Sequence, residues 1–433
     1  MRHASQLDDF DQGTTLNILL ITLGSAGDVH PFVGLGRALQ HRGHFVKLAT
    51  NAHFRTMIEQ AGLAFAQLGD EAQFHQLTAN PDLWHPIKGL RTVFEGALLP
   101  MIHPVHDLIA RERDAGPLLV VSHGIAFGAR LAEEKLHIPN ITVHLAPLVF
   151  RSLHRHPVYQ GMPMASWMPR WLKQAMFRLS DLLVIERVMC PPVNTIRREM
   201  NLPPIHSVQS WWNSPRRIIG MFPDWFAPIQ PDWPPQLRLS GFPLFDQGDM
   251  LKLPADLEGF LNQGTLPIVF TAGSAMCHAA DFFRQSALAC QRLGRRGLLV
   301  SRYPDQLPAD LPPQIRPVAY APFSQLLPRC AAFVHHGGIG TSAQGLHAGL
   351  PALVVPLSHD QFDNAARLVR LGTAQILPRQ RYRAPKVAAM LRQLLTNPRY
   401  TQYAHDASER MARTDGLEIA ATLVEQMTPA TIS

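Results

Sequence analysis

Residues 16–23 form a run dominated by apolar side chains, the mark of a strand covered on both faces. Gly24-Ser25-Ala26-Gly27-Asp28 follows as a tight loop. Residues 31–42 then show helical spacing at Phe32, Leu35 and Leu39 until Gly43 stops the pattern. The alternation continues with a strand at 45–50, a helix at 54–61, a strand at 118–122, a helix at 126–136 and a strand at 141–144. Strands alternating with helices predict a doubly wound parallel sheet.

The rhythm breaks between about 149 and 235, a stretch rich in Pro, Trp, Met and Arg that carries Trp167, Trp171, Trp211, Trp212, Trp225 and Trp233. At 266–271 the opening repeats as a short apolar strand, and Gly273-Ser274-Ala275 matches Gly24-Ser25-Ala26. Further strands are predicted at 297–301, 315–319, 331–335 and 353–356, and a helix across 406–426. The organisation expected is a flexible leader (1–15), a first α/β domain (16–239), a linker (240–254), a second α/β domain (255–415) and a C-terminal helix (416–433) packing back on the first domain. Ligands of open α/β sheets lie beyond the carboxyl ends of the strands, so the cleft between the domains is the expected site.

Composition narrows the class. With 433 residues, 46% hydrophobic and 17% charged, the chain has the balance of a globular protein and excludes a fibre or a disordered chain. Cys190, Cys277, Cys290 and Cys330 lie far apart and form no CxxC pair, which fits a reducing compartment and argues against both a disulfide framework and a zinc site. No apolar run reaches the roughly 20 residues of a membrane span, and the polar N-terminus lacks the apolar core of a secretory signal. A cytoplasmic protein is expected. The net charge of +7 fits nucleic acid, an anionic membrane surface or phosphate-bearing substrates. The basic residues are scattered and no nucleic-acid motif is present, which argues against the first.

The most informative stretch runs from 320 to 364. His336-Gly337-Gly338-Ile339-Gly340-Thr341-Ser342 ends a strand and opens a helix, offering free N–H groups and the positive end of a helix dipole to an anion. Asp360 and Gln361 follow the next strand and point towards the same cleft, suited to vicinal hydroxyls; a helix N-cap is the plainer role for Asp360.

Tyr320-Ala-Pro, His336-Gly337-Gly338, Gly349-Leu350-Pro351, Pro356 and Asp360-Gln361-x-x-Asn364-Ala365 resemble the nucleotide-sugar signature of family 1 glycosyltransferases of the GT-B fold. GSAGDVHPFVGLGRALQHRGHFV resembles the acceptor-side opening of that family's bacterial and sterol-type branch. Within the family, GSAGDVHPF, SPRRIIGMFPDWFAPIQPDWP, LSGFPLFD, HGGIG and HDQFDNAARLVRLG are most similar to the bacterial rhamnosyltransferase catalytic subunits of rhamnolipid synthesis. The resemblance implies two Rossmann-like domains facing each other across a cleft.

It also implies roles. Asp28 falls where the general base deprotonates the acceptor hydroxyl, with helix capping as its plainer alternative. Gly24, Ser25 and Gly27 would shape the loop admitting the acceptor; His123 would line its pocket unless it is merely structural. Tyr320 would stack on the pyrimidine. Gly273, Ser274, His336, Gly338, Gly340, Thr341 and Ser342 would hold the diphosphate, and Asp360 and Gln361 the sugar hydroxyls. No metal and no cofactor are implied beyond the nucleotide sugar, dTDP-L-rhamnose or a UDP-sugar. The family's acidic ribose contact falls on Gln344, and its Trp and Asn fall on Ile339 and Gly340, compatible with a deoxyribose donor. His30 lies off the motif.

In the middle region, Pro163, Met164, Trp167, Met168, Trp171, Met176 and Phe177 alternate with Arg151, Arg155, Arg170, Lys173 and Arg178. This suits an apolar acceptor groove with a basic rim, able to touch the inner face of an anionic membrane, or ordinary helices with solvated arginines. The expected activity is inverting transfer of L-rhamnose from dTDP-L-rhamnose to a 3-(3-hydroxyalkanoyloxy)alkanoate lipid, supplied by a separate acyl-dimer synthase. The alternatives are UDP-glucose transfer to a sterol, polyketide or other lipophilic aglycone, a sugar-nucleotide epimerase, and an inactive nucleotide-sugar sensor.

Overall fold

A computed structural model describes residues 15–85, 88–162 and 164–427. Its first sheet has seven parallel strands: β1 (Asn17–Ile21), β2 (Phe45–Thr50), β3 (Ala64–Gln67), β4 (Leu119–His123), β5 (Asn140–His144), β6 (Arg217–Gly220) and β7 (Leu237–Leu239), in the order β3-β2-β1-β4-β5-β6-β7. The second has six: β8 (Ile268–Thr271), β9 (Gly297–Val300), β10 (Ile315–Val318), β11 (Ala332–His335), β12 (Ala352–Val354) and β13 (Ala374–Ile376), in the order β10-β9-β8-β11-β12-β13. β1 pairs with both β2 and β4, bringing Ile18 beside Val46 and Leu119; β8 lies likewise between β9 and β11. Each sheet therefore reverses its winding beside its first strand, which opens one crevice between β1 and β4 and another between β8 and β11.

The apolar runs became central strands because both faces are covered. Leu20, Ile21, Phe270 and Val334 are fully buried. β3, β6, β7 and β13, which the sequence pattern did not predict, lie outside the centre of each sheet. β6 lies in the stretch where the sequence rhythm breaks: Ile218 and Ile219 are buried and extend the first sheet beyond β5.

The helix expected across 406–426 is instead two helices, Pro398–Ala412 and Gly416–Glu425. Asp415 caps the second by accepting from the Leu417 and Glu418 N–H groups at 2.9 and 3.1 Å. A Cβ on Gly416 would collide with the Phe242 carbonyl, so glycine permits the close crossing there. Ala420, Ala421 and Val424 then pack in one core with Ile18, Phe32 and Leu35. Arg42 holds this helix through Glu418 (2.6 Å) and Glu425 (2.5 Å). The linker, without helix or strand, is tied to the second half where Asp246 accepts from the Ser324 N–H at 2.6 Å. Residues 1–14 of the expected leader, Pro163 and residues 428–433 lie outside the described residues.

Candidate active site

At the first crevice, the turn after β1 enters the helix Ala26–His41. One carboxylate oxygen of Asp28, Oδ2, accepts from the Ser25 N–H (2.7 Å) and the Ser25 hydroxyl (3.1 Å). This is a helix cap, yet among the described residues no hydrogen bond engages Oδ1. Gly24 sits at φ +124°, and a Cβ there would overlap the Asp28 carboxylate. The loop glycine thus clears the space that the carboxylate fills.

His123, from the end of β4, is buried and leaves Nδ1 without a partner. Burial lowers its pKa, with the Asp28 charge opposing the shift. Behind it stands His144 from β5, whose Nε2 meets Asn213 Oδ1 at 2.7 Å. Burial holds His144 down to about 4, so it is neutral at pH 7.

At the second crevice, the His336 imidazole lies between two glycines. A Cβ on Gly273 (φ +99°) would approach Cε1 to 2.9 Å, and one on Gly338 would approach Nε2 to 2.5 Å. Burial pushes His336 down to about 4, and its Nδ1 has no partner. It therefore offers a neutral donor. Gly338 caps the helix Ile339–His347, into which the Ser342 N–H bonds back to the Gly338 carbonyl at 2.9 Å. The N–H groups of Ile339, Gly340 and Thr341 precede it and face outward from the helix start. Ser342 Oγ is buried without a partner, while Ser274 and Gly340 are exposed.

The two crevices meet. Asp360 begins the helix Gln361–Arg370 without capping it; its Oδ2 accepts from Asn364 Nδ2 at 2.7 Å. Asn364 Nδ2 also reaches the Gly337 carbonyl at 2.9 Å, joining the glycine loop to the acid. Burial, together with the facing Asp28 charge and against the Asn364 bond, raises Asp360 to about 6. His359, at φ +56°, also feels Asp28, and its ring meets Trp84 edge-on at 5.8 Å. The charge of a carboxylate in the first half is thus felt by an imidazole and a carboxyl of the second.

Other candidates are placed differently. The Gln361 amide oxygen accepts from the Leu357 and Ser358 N–H groups (2.8 and 3.1 Å), so it shapes the loop instead of standing open to a sugar. Tyr320 is half-buried; it donates its hydroxyl to the Asp246 carbonyl (2.9 Å), and Arg302 lies over its ring at 4.9 Å. Trp167, expected in the acceptor groove, is 81% exposed. Lys173 and Phe177 are buried rather than forming a basic-rimmed groove: Lys173 Nζ donates to the Ser166 carbonyl, and Phe177 lies under Arg151. Gly27 is exposed, whereas Gln344, at the position of the family's acidic ribose contact, is buried. His30 meets Phe245 of the linker edge-on at 5.8 Å. Sequence reasoning missed His359, Arg302 and Trp84; only the adjacency of His359 to Asp360 gave any signal.

Two family models cover the chain in succession. The glycosyltransferase family 28 N-terminal domain matches residues 18–152, and the erythromycin biosynthesis protein CIII-like C-terminal domain matches 301–426. O-mycaminosyltylonolide 6-deoxyallosyltransferase of Streptomyces fradiae is 31% identical over 95% of this chain and 97% of its own. The chain is a family 1/28 glycosyltransferase of the EryCIII-like class.

A sterol 3-beta-glucosyltransferase of Arabidopsis thaliana is 25% identical to this glycosyltransferase, over 85% of the present chain and 61% of the plant protein. The crystal structure of the kitacinnamycin glycosyltransferase superposes with a TM-score of 0.73 at 20% identity, covering 96% of this chain and all of that one. A spinosyn rhamnosyltransferase crystallised with thymidine diphosphate gives 0.66 at 17%, covering 94% and 100%. The two parallel sheets of seven and six strands match the GT-B glycosyltransferase fold.

The raised pKa of Asp360 has a consequence for the glycosyltransferase. Its protonated form is favoured by folding, so this contribution is complete below about pH 4 and lost as pH rises through about 6. Asp360→Asn keeps an acceptor for Asn364 and removes the titration. Relative to wild type, the variant should gain up to ~3 kcal/mol between pH 4 and pH 7, read from denaturant midpoints. A difference that stays flat with pH would show that Asp360 is ionised without cost.

Proposed function

We propose that this glycosyltransferase moves L-rhamnose from dTDP-L-rhamnose to a hydroxyl of a 3-(3-hydroxyalkanoyloxy)alkanoate, inverting the anomeric centre. The observation that carries the transfer is Asp28 held by Ser25 at the glycine turn through one carboxylate oxygen, the other lying outside any hydrogen bond among the described residues, with its charge felt by His359 and Asp360 of the second half. In this reading the acceptor O–H gives its proton to Asp28 as its oxygen attacks the anomeric carbon. The bond from that carbon to the diphosphate oxygen breaks through an oxocarbenium-like state, and dTDP departs with the electron pair. His336 and the N–H groups opening the Ile339–His347 helix take up the developing charge, so neither Mg²⁺ nor another cofactor is needed. Tyr320 would stack on the thymine.

A 6-deoxy sugar is supported by the Streptomyces relative, named for a 6-deoxyallosyl transfer, and a thymidine nucleotide by the spinosyn rhamnosyltransferase complex. A lipid acceptor is supported by the outward face of the helix Arg170–Ser180 and the turn after it. Trp171, Leu179, Leu182 and Leu183 are 57–70% exposed there, flanked by exposed Arg170 and Arg178. Such a face suits peripheral contact with an anionic bilayer holding the acceptor.

Three outcomes test this. Purified protein offered the acyl dimer with dTDP-rhamnose and UDP-glucose together should yield a deoxyhexose adduct by mass spectrometry. A hexose adduct would move the reading to glucosyl transfer, as in the sterol relative, and isomerised donor without acceptor would mean an epimerase. Asp28→Asn should bind dTDP as wild type does while turnover falls ~10²-fold or more; undiminished turnover would remove Asp28 as base. In flotation with phosphatidylglycerol vesicles, wild type should float and Trp171→Ser/Leu182→Ser should not. Equal flotation of both would assign that face elsewhere.

A further inference from the structure

On the far side of β2 from the transfer chemistry, three side chains converge that no step of the proposed reaction uses. His53 lies in the 3₁₀ turn Ala52–Phe54 directly after β2, while Glu71 and His75 are one turn apart on the helix Glu71–Ala79. Their ligand-capable atoms all fall within 4.8 Å of one another. Glu71 Oε1 stands 3.2 Å from His53 Nδ1 and 3.5 Å from His75 Nε2. With metal–nitrogen and metal–oxygen bonds of about 2.0–2.2 Å, ligand atoms on a tetrahedral ion are about 3.4 Å apart. The two observed distances bracket that edge.

The cluster is also built. Asn51 accepts from the His53 N–H (2.9 Å) and donates to the Asp70 carbonyl (2.7 Å), locking the turn to the start of the helix. Asp70 caps that helix through the Gln73 N–H at 2.7 Å. Phe74 stacks on the His53 ring at 4.6 Å and 16°, and His75 meets it edge-on at 5.3 Å. The side chain of His53 is only 26% exposed, whereas those of Glu71 and His75 are 60% and 58% exposed, leaving the outer side open for a water ligand. Hydrogen bonds from both imidazoles hold the Glu71 carboxyl below its ordinary range, keeping it anionic.

We propose that His53, Glu71 and His75 bind one divalent transition-metal ion, with Zn²⁺ the ion best matched to two imidazoles, one carboxylate and a water. Mg²⁺ and Ca²⁺ prefer all-oxygen shells and are excluded by the two nitrogens. The site acts on the fold rather than on the sugar. The last turn of the same helix carries the Thr78 and Ala79 carbonyls, which meet Cys277 Sγ (3.5 Å) and His278 Nε2 (3.3 Å) in the loop after β8. That loop begins with Gly273 and Ser274 of the donor crevice. An ion at the first turn anchors the helix whose end rests on the donor loop.

The test is isothermal titration of ZnCl₂ into untagged, metal-stripped protein, with hydrogen exchange followed in parallel. Wild type should take one equivalent more than Glu71→Gln or His75→Gln, or bind that equivalent more than tenfold tighter. Zn²⁺ should slow exchange across residues 71–79 in wild type only. His75→Gln retains a donor to Glu71, so a purely structural hydrogen-bonded cluster would survive it, and its metal-free melting temperature reports that folding is intact. The same stoichiometry and affinity in wild type and His75→Gln would overturn the proposal, as would tight binding that leaves residues 71–79 unprotected.

Discussion

The whole site depends on an apolar cluster that belongs to neither sheet alone. Phe222, Phe226 and Trp233 of the first half and Phe242 of the linker pack with Ala343, Leu346, Val354, Ala365 and Leu368 of the second. Full burial of such a side chain is worth roughly 1.5–3 kcal/mol, part of it spent within the first half and part across the boundary. Polar ties finish the register: the Val158 N–H reaches Asp363 (3.0 Å), and Arg367, paired with Asp363 at 2.7 Å, reaches the Phe226 carbonyl. Because these helices also begin at the glycine loop and at Asp360, fixing the cluster fixes how far Asp28 stands from the donor side.

Within that frame the chemistry follows from which groups are denied water. His123, His144 and His336 are kept neutral by burial, so they donate or accept without adding charge. Asp28 and Asp360 face one another, and the second yields by holding its proton more tightly. A cleft with one firmly bonded carboxylate and one reluctant carboxylate can remove a proton on one side and bond to neutral hydroxyls on the other. The glycines at 24, 273 and 338 serve the same end. Each leaves room for a side chain, Asp28 or His336, that a Cβ would displace.

Much of this was legible in the chain because it rests on local rules. Continuous apolar runs become central parallel strands, and a glycine loop between such a strand and a helix leaves free N–H groups; both are readable within a short window of sequence. The opening at Gly24 and its echo at Gly273 announced two related crevices. Outlying strands were less readable, since β6 and β13 are short and owe their burial to neighbours far away in sequence. The helix break did leave a local signal, the Asp415-Gly416 pair in which Asp415 caps the second helix, but the apolar spacing on either side masked it, and the close crossing with Gly241 and Phe242 that Gly416 permits is not readable locally.

The sequence by itself determined the two parallel sheets, the placement of Asp28, His336 and Asp360 at strand ends, and the family. These follow from periodicity and from residues close in the chain. The tertiary structure decided which side chains remain available. It turned the Gln361 oxygen inward to the loop, left Trp167 in solvent, buried Lys173, and brought His359 opposite Asp28 and His53 beside Glu71. The reason is physical: a side chain's hydrogen bonds and its desolvation depend on atoms contributed by distant segments, and only packing says which atoms those are.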